Sequence, residues 1–193
     1  RSRDSISFRM SPDYSELAAR RASKVSARCM QPEDFGYDFR EWVSPYTKSA
    51  HAGGGIAIVL QDWASEDFLN KGFNADIQTF GRQPSLATNK RLDEVLRRVL
   101  GLRISDVYVT NVFPFIKPGA MSAGIKLRHV VETAKEFTAP ELEIAQPTIA
   151  LALGSLTHKA LSRAGVESIP LPHPSKRGMS FDVYESLWRE VFG

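Results

Sequence analysis

Four short, nearly continuous apolar runs limit what this chain can fold into: "IAIVLQ" at 56–61, "VYVTNV" at 107–112, "TIALALG" at 148–154 and "IPLPHP" at 169–174. Runs of that length with little polar alternation suit strands buried on both faces, the habit of parallel sheets covered by helices. Amphipathic stretches lie around them. "NKRLDEVLRRVLG" (89–101) puts Leu92, Val95, Leu96, Val99 and Leu100 on one stripe and closes on a glycine suited to a C-terminal cap. "SLTHKALSRAG" (155–165) repeats the design, with Ser155 as N-cap and Gly165 as stop. The early "DYSELAARRASKVSARC" (13–29) and the final "SFDVYESLWREVFG" (180–193) also read as helices. Strands alternating with helices predict an α/β fold, a three-layer α/β/α sandwich around a central, mostly parallel four-stranded sheet.

With 193 residues and 42% hydrophobic content, the chain fits one domain spanning 1–193. An N-terminal helical region (1–50) precedes the core at 56–181, and loops richer in Pro and Gly occupy roughly 44–55, 79–88 and 114–124. "HAGGG" at 51–55 precedes its strand, so it lacks the strand-then-helix setting of a phosphate-cradling loop and reads as a turn. Cys29 is the single cysteine, which excludes disulfides within the chain and any four-thiolate zinc or iron–sulfur site. No metal and no cofactor are expected. No apolar run is long enough to cross a bilayer, so no membrane partner is expected either. The expected setting is cytoplasmic, nucleoid-associated in a bacterium, with the natural N-terminus left open because the sequence starts at Arg1.

Lys and Arg exceed Asp and Glu only by 25 to 22, so placement matters more than sum. Arg1, Arg3, Arg9, Arg20, Arg21, Lys24 and Arg28 crowd the first 30 positions, and Arg82, Lys117, Lys176 and Arg177 recur beside the Pro/Gly-rich loops. Glu132, Glu136, Glu141 and Glu143 gather elsewhere. That asymmetry suits a phosphate backbone meeting one face, and solvated surfaces are the equal alternative.

Ligands of open α/β sheets bind beyond the carboxyl ends of the strands. The first run is followed by Gln61, Asp62 and Trp63, the second carries Asn111 near its end, the third delivers Gly154 and Ser155, and the fourth delivers His173, Pro174 and Ser175. Singly, each has a dull explanation: Asp62 caps a helix begun by "SEDFLN", Asn111 satisfies a loop backbone, His173 bonds a carbonyl in the core. A carboxylate, an amide, a helix-start hydroxyl and an imidazole on one rim instead compose a reaction centre.

In this order the motifs resemble the uracil-DNA glycosylase superfamily, as an outlying member closest to its Asp-containing type. That type carries Gly-Gln-Asp-Pro-Tyr-His after the first strand and His-Pro-Ser-Pro-Leu-Ser after the last, where this chain has "LQDWAS" and "HPSKRG". "TFGRQPSLATNKRLDEVL", "VYVTNVFPF" and "LALGSLTHKAL" are similar to its Phe-Ser and Pro-Ser-Leu segment, its Asn-bearing strand and its Gly-Ser turn.

The resemblance implies a glycosylase that extrudes uracil from DNA and hydrolyses its N-glycosidic bond, leaving an abasic site. It implies that Asp62 orients water and stabilises a cation-like sugar, and that His173, as a neutral imidazole between two prolines, donates to the departing base. It further implies that Asn111 reads the uracil edge, that Phe80 stacks on the base, and that Gln61 and Trp63 complete the base pocket. Ser85, Ser155, Ser175, Lys176 and Arg177 would hold or wedge the DNA backbone. Two departures stand out: Ala64 replaces the Tyr that blocks the thymine methyl, and Arg177 replaces the wedge leucine. No lysine sits at a matching motif position, so a monofunctional enzyme without Schiff-base strand cleavage is expected. Its partners would be uracil-containing DNA, abasic DNA product and free uracil, and the protein would be a monomer. The alternative is a binder of uracil-containing or abasic DNA with poor turnover.

Overall fold

The computed structural model describes residues 12–26 and 28–193. Its centre is one four-stranded sheet built from β1 (Ile56–Ser65), β2 (Tyr108–Lys117), β3 (Ile149–Leu153) and β4 (Ile169–Leu171). The strand order is β2-β1-β3-β4, and every pairing is parallel.

Alternation along the strands sends side chains to two separate cores. Ile58, Leu60, Val109, Leu151 and Leu153 pack on one face against α4 (Ala87–Val95), its π-helical continuation Leu96–Leu100, and α8 (Phe181–Phe192). Ala57, Val59, Tyr108, Val112, Ala150 and Ala152 pack on the other. There they meet α5 (Leu127–Thr133), a π-helical turn at Ala134–Thr138, α6 (Ala139–Ala145) and α7 (Ser155–Arg163). Three alanines on that face give α7 room to sit close to the sheet. Helices on both faces of a parallel sheet make the three-layer α/β/α sandwich.

The helical band at 127–145, absent from the sequence reading, gathers Glu132, Glu136, Glu141 and Glu143. The early helix, α1 (Pro12–Ser23), stops well short of residue 29. The cations on it and just after it make contacts within the protein, with Arg20 and Arg28 still exposed. Arg21 is fully buried and donates to the carbonyls of Phe39 at 2.6 Å and Trp42 at 3.0 Å. Arg20 donates to the Glu136 carbonyl, Lys24 pairs with the Glu136 carboxylate, and Arg28 lies 2.9 Å from His129 Nε2. These side chains fasten the N-terminal segment to the rest of the protein. Arg1, Arg3 and Arg9 lie outside the described residues.

β1 and β2 run farther than their apolar stretches, to Ser65 and Lys117. Near those ends the register slips: Asp62 pairs with Phe113, but Ala64 pairs with Ile116, so β2 carries one residue more than β1 over this interval. Pro114, which has no N–H to give a ladder, lies inside it. Such bulges redirect side chains beside functional sites.

Candidate active site

A cavity of about 810 Å³ opens at the carboxyl ends of the strands. β1 supplies Gln61, Asp62 and Trp63, β2 supplies Lys117, Gly154 and Ser155 come from the β3–α7 turn, and His173 and Ser175 follow β4. Each group is delivered by backbone geometry. Gly154 sits at φ +104°, a conformation that favours glycine, so the chain can turn from β3 into α7, and its N–H donates to the Leu171 carbonyl at 2.8 Å. That bond ties the end of β3 to β4, directly ahead of His173.

The His173 ring is oriented by its own loop. The Ser175 backbone N–H donates to Nδ1 at 3.1 Å, and the Ser175 hydroxyl lies 2.7 Å from the same nitrogen. With Nδ1 accepting, the proton of the neutral ring belongs on Nε2. Burial pushes the imidazole below its ordinary range; Asp62 pulls it up and Lys117 pushes it down. Neutral imidazole with one defined donor is the favoured form.

Asp62 is the only carboxylate among the described residues that line the cavity. Gln61 Nε2 donates to its Oδ1 at 3.0 Å, and Lys117 Nζ lies 3.0 Å from its Oδ2. Lys117, 5% exposed, also donates to the Met121 carbonyl at 2.6 Å. Both carboxylate oxygens are therefore engaged. Asp62 is not a helix cap, because the strand continues to Ser65, which is the N-cap of α2 (Glu66–Leu69).

Sequence reasoning did not place Lys117 at the site. Only its position in a Pro/Gly-rich stretch set it apart, and its contact with Asp62 forms where β1 and β2 pair past the bulge. Arg82 also lines the wall, held by Asp93 at 3.1 Å with its Nε buried and unpartnered. With Lys176 this makes three cations around one carboxylate.

Other predicted residues fall elsewhere. Phe80 ends α3 (Ala75–Phe80), is 42% exposed, and is not part of the cavity wall. Trp63, Tyr46 and Phe68 are the aromatic residues of the wall, and the Trp63 indole N–H donates to the Gly81 carbonyl at 2.7 Å. Ser85 is exposed outside the wall and accepts from Gln83 Nε2, and Arg177 is exposed beyond Lys176. Asn111 lies mid-strand and fully buried, paired with the wall residue Leu60. The Ser44 hydroxyl donates to its Oδ1 at 2.6 Å, and its Nδ2 has no partner. Ala64 lines the cavity where a larger side chain would narrow it.

Among the described residues, no cluster of His, Cys, Asp and Glu could hold a metal ion, and no helix is long and apolar enough to cross a membrane. A search of the curated proteins finds no match to this chain. The family model described as "Uracil DNA glycosylase superfamily" matches residues 63–191, two thirds of the sequence, beginning one residue after Asp62 and including His173. A parallel α/β/α sandwich that brings Asp62, Ser155 and His173 to one cavity agrees with that match, and the chain belongs to the uracil DNA glycosylase superfamily, a superfamily of DNA glycosylases.

Proposed function

We propose that the protein removes uracil from DNA by hydrolysing the N-glycosidic bond, leaving an abasic site and free uracil. The observation that carries this reading is the convergence of Asp62 and His173, 111 residues apart in sequence, on one cavity of a glycosylase fold.

Breaking the bond between sugar and base develops positive charge on the sugar and negative charge on the base, so two opposite stabilisers are needed. Asp62 supplies the negative one. Its carboxylate faces the cation-like sugar and orients the attacking water, with Gln61 and Lys117 restricting its rotation. His173 supplies the other, donating through Nε2 to a carbonyl oxygen of the departing base while Ser175 occupies Nδ1. A neutral donor suffices, because a hydrogen bond that strengthens as charge builds stabilises the transition state more than the ground state.

Trp63 offers the base an aromatic wall. Asn111 keeps a buried amide N–H unspent behind the wall residue Leu60, a donor of the kind that a base carbonyl takes up. Ser155, Ser175, Lys176 and Arg177, exposed at and beside the mouth, suit phosphate oxygens flanking the extruded nucleotide. With Ala64 in the wall, exclusion of the thymine methyl falls to Trp63.

Single- and double-stranded oligonucleotides carrying uracil, thymine or hypoxanthine, developed with alkali after incubation, test the reading. Strand breaks at uracil, with thymine left intact, are expected. Breaks at hypoxanthine but not uracil would overturn the substrate assignment, and no breaks at any base would overturn the activity.

A further inference from the structure

Base removal by water makes a product that the cavity is equipped to hold. An abasic deoxyribose equilibrates between its ring-closed form and an open chain that carries an aldehyde at C1′. If Asp62 attends C1′ as proposed above, then Lys117, whose Nζ lies 3.0 Å from Asp62 Oδ2, has its amine in the same neighbourhood. This inference rests on that assignment and goes beyond it.

We propose that Lys117 captures the abasic product as an imine. Lys117 is 5% exposed, and its Nζ is fixed from two sides, by Asp62 and by the Met121 carbonyl at 2.6 Å. It does not wander as a surface lysine would. Lys176, the other lysine among the described wall residues, is exposed. Burial takes this amine out of bulk water, and Asp62 beside it can take up the proton that the amine must lose before it attacks a carbonyl.

The chemistry balances within the pair. The ammonium passes one proton to the Asp62 carboxylate, and the freed nitrogen lone pair attacks the aldehyde carbon to give a carbinolamine. Asp62 returns the proton to the carbinolamine oxygen, which leaves as water while the nitrogen lone pair forms the carbon–nitrogen double bond. One amine and one aldehyde give one imine and one water, with no oxidant or reductant. Water added back reverses the sequence and frees the DNA. The enzyme thus carries a device for retaining a reactive product after hydrolysis, and slow release of abasic DNA follows from it.

The test uses a preformed abasic oligonucleotide, made without this enzyme, incubated with the full chain and sodium borohydride, which reduces an imine to a stable amine. A covalent adduct is expected, with the DNA on the peptide containing Lys117 by mass spectrometry. Lys117→Arg keeps the positive charge but removes the condensing amine, and should lower the adduct yield by about tenfold or more. No adduct under conditions where fluorescence anisotropy shows the abasic oligonucleotide bound, or an adduct on Lys176 or the chain's own N-terminal amine, would overturn the proposal. Uracil release measured in parallel separates the two readings: release without an adduct leaves the hydrolase standing and the capture refuted, and absence of both refutes both.

Discussion

His173 is held as a donor by the two residues that follow it, and its pH behaviour follows from that. Burial lowers its affinity for a proton relative to an ordinary imidazole, with Lys117 acting in the same direction and Asp62 against. A base whose pKa is lowered stays neutral to more acidic pH. Single-turnover uracil release by the parent protein should therefore hold steady as pH falls through about 6.5 and decline only below it. A rate that climbs as pH falls through that region would make imidazolium the working form. Asp62 and His173 were legible in the sequence because each follows an apolar strand inside a recognisable motif. Lys117 was not, because its partner becomes evident only when two distant strands pair with a slipped register. Phe80 and Asn111 show the opposite limit: motif position identified them, yet burial and facing direction, which no linear pattern encodes, keep them out of the cavity wall.

At the scale of elements, one glycine decides how a wall is built. Gly81 caps α3 at φ +69°, and a Cβ there would lie 1.7 Å from the Pro45 carbonyl oxygen, with rigid backbone on both sides of the contact. Its carbonyl accepts the Trp63 indole N–H, so the same residue anchors the aromatic wall. Gly81→Ala should destabilise the fold by roughly 2–4 kcal/mol in urea titrations, from positive-φ strain together with steric overlap. An unchanged midpoint would mean that the α3 turn adapts freely. The strand centres were readable because continuous apolar runs of six or so residues have few other fates in a chain with helical neighbours. Their ends were not: β1 and β2 carry polar residues past the bulge, where pairing is kept by backbone bonds and not by hydrophobic pattern. The helical band at 127–145 was missed because its π-helical turn shifts the hydrophobic stripe partway along.

For the whole molecule, stability is tied to pH through a group remote from the cavity. Glu141 is fully buried, receiving the Tyr108 hydroxyl at 2.8 Å and the Thr110 and Thr47 hydroxyls, and burial raises its pKa to about 7 from the ordinary 4.5. A carboxyl whose folded pKa is raised binds its proton more tightly in the folded state. Its stabilising contribution is complete below about 4.5 and is lost as pH rises through about 7, an amount on the order of 3 kcal/mol. Urea unfolding between pH 5 and 8 should show stability falling with pH in the parent, and Glu141→Gln should flatten that slope. An equal slope in both would remove Glu141 as its source. The sandwich itself was legible from alternation of strand and helix alone. The tie between α6 and β2 was not, since a glutamate in a polar-looking stretch gives no sign that hydroxyls from other elements will surround it.

In the proposed reaction the Asp62 carboxylate at the cavity wall drives cleavage of the bond between sugar and uracil. Single-turnover release of free uracil from a uracil-containing oligonucleotide, comparing the parent with Asp62→Asn, tests it most directly. The variant's rate should fall roughly 10²-fold or more, the range expected when an oriented charged group is lost from the transition state. Release by the variant at the parent's rate would contradict it.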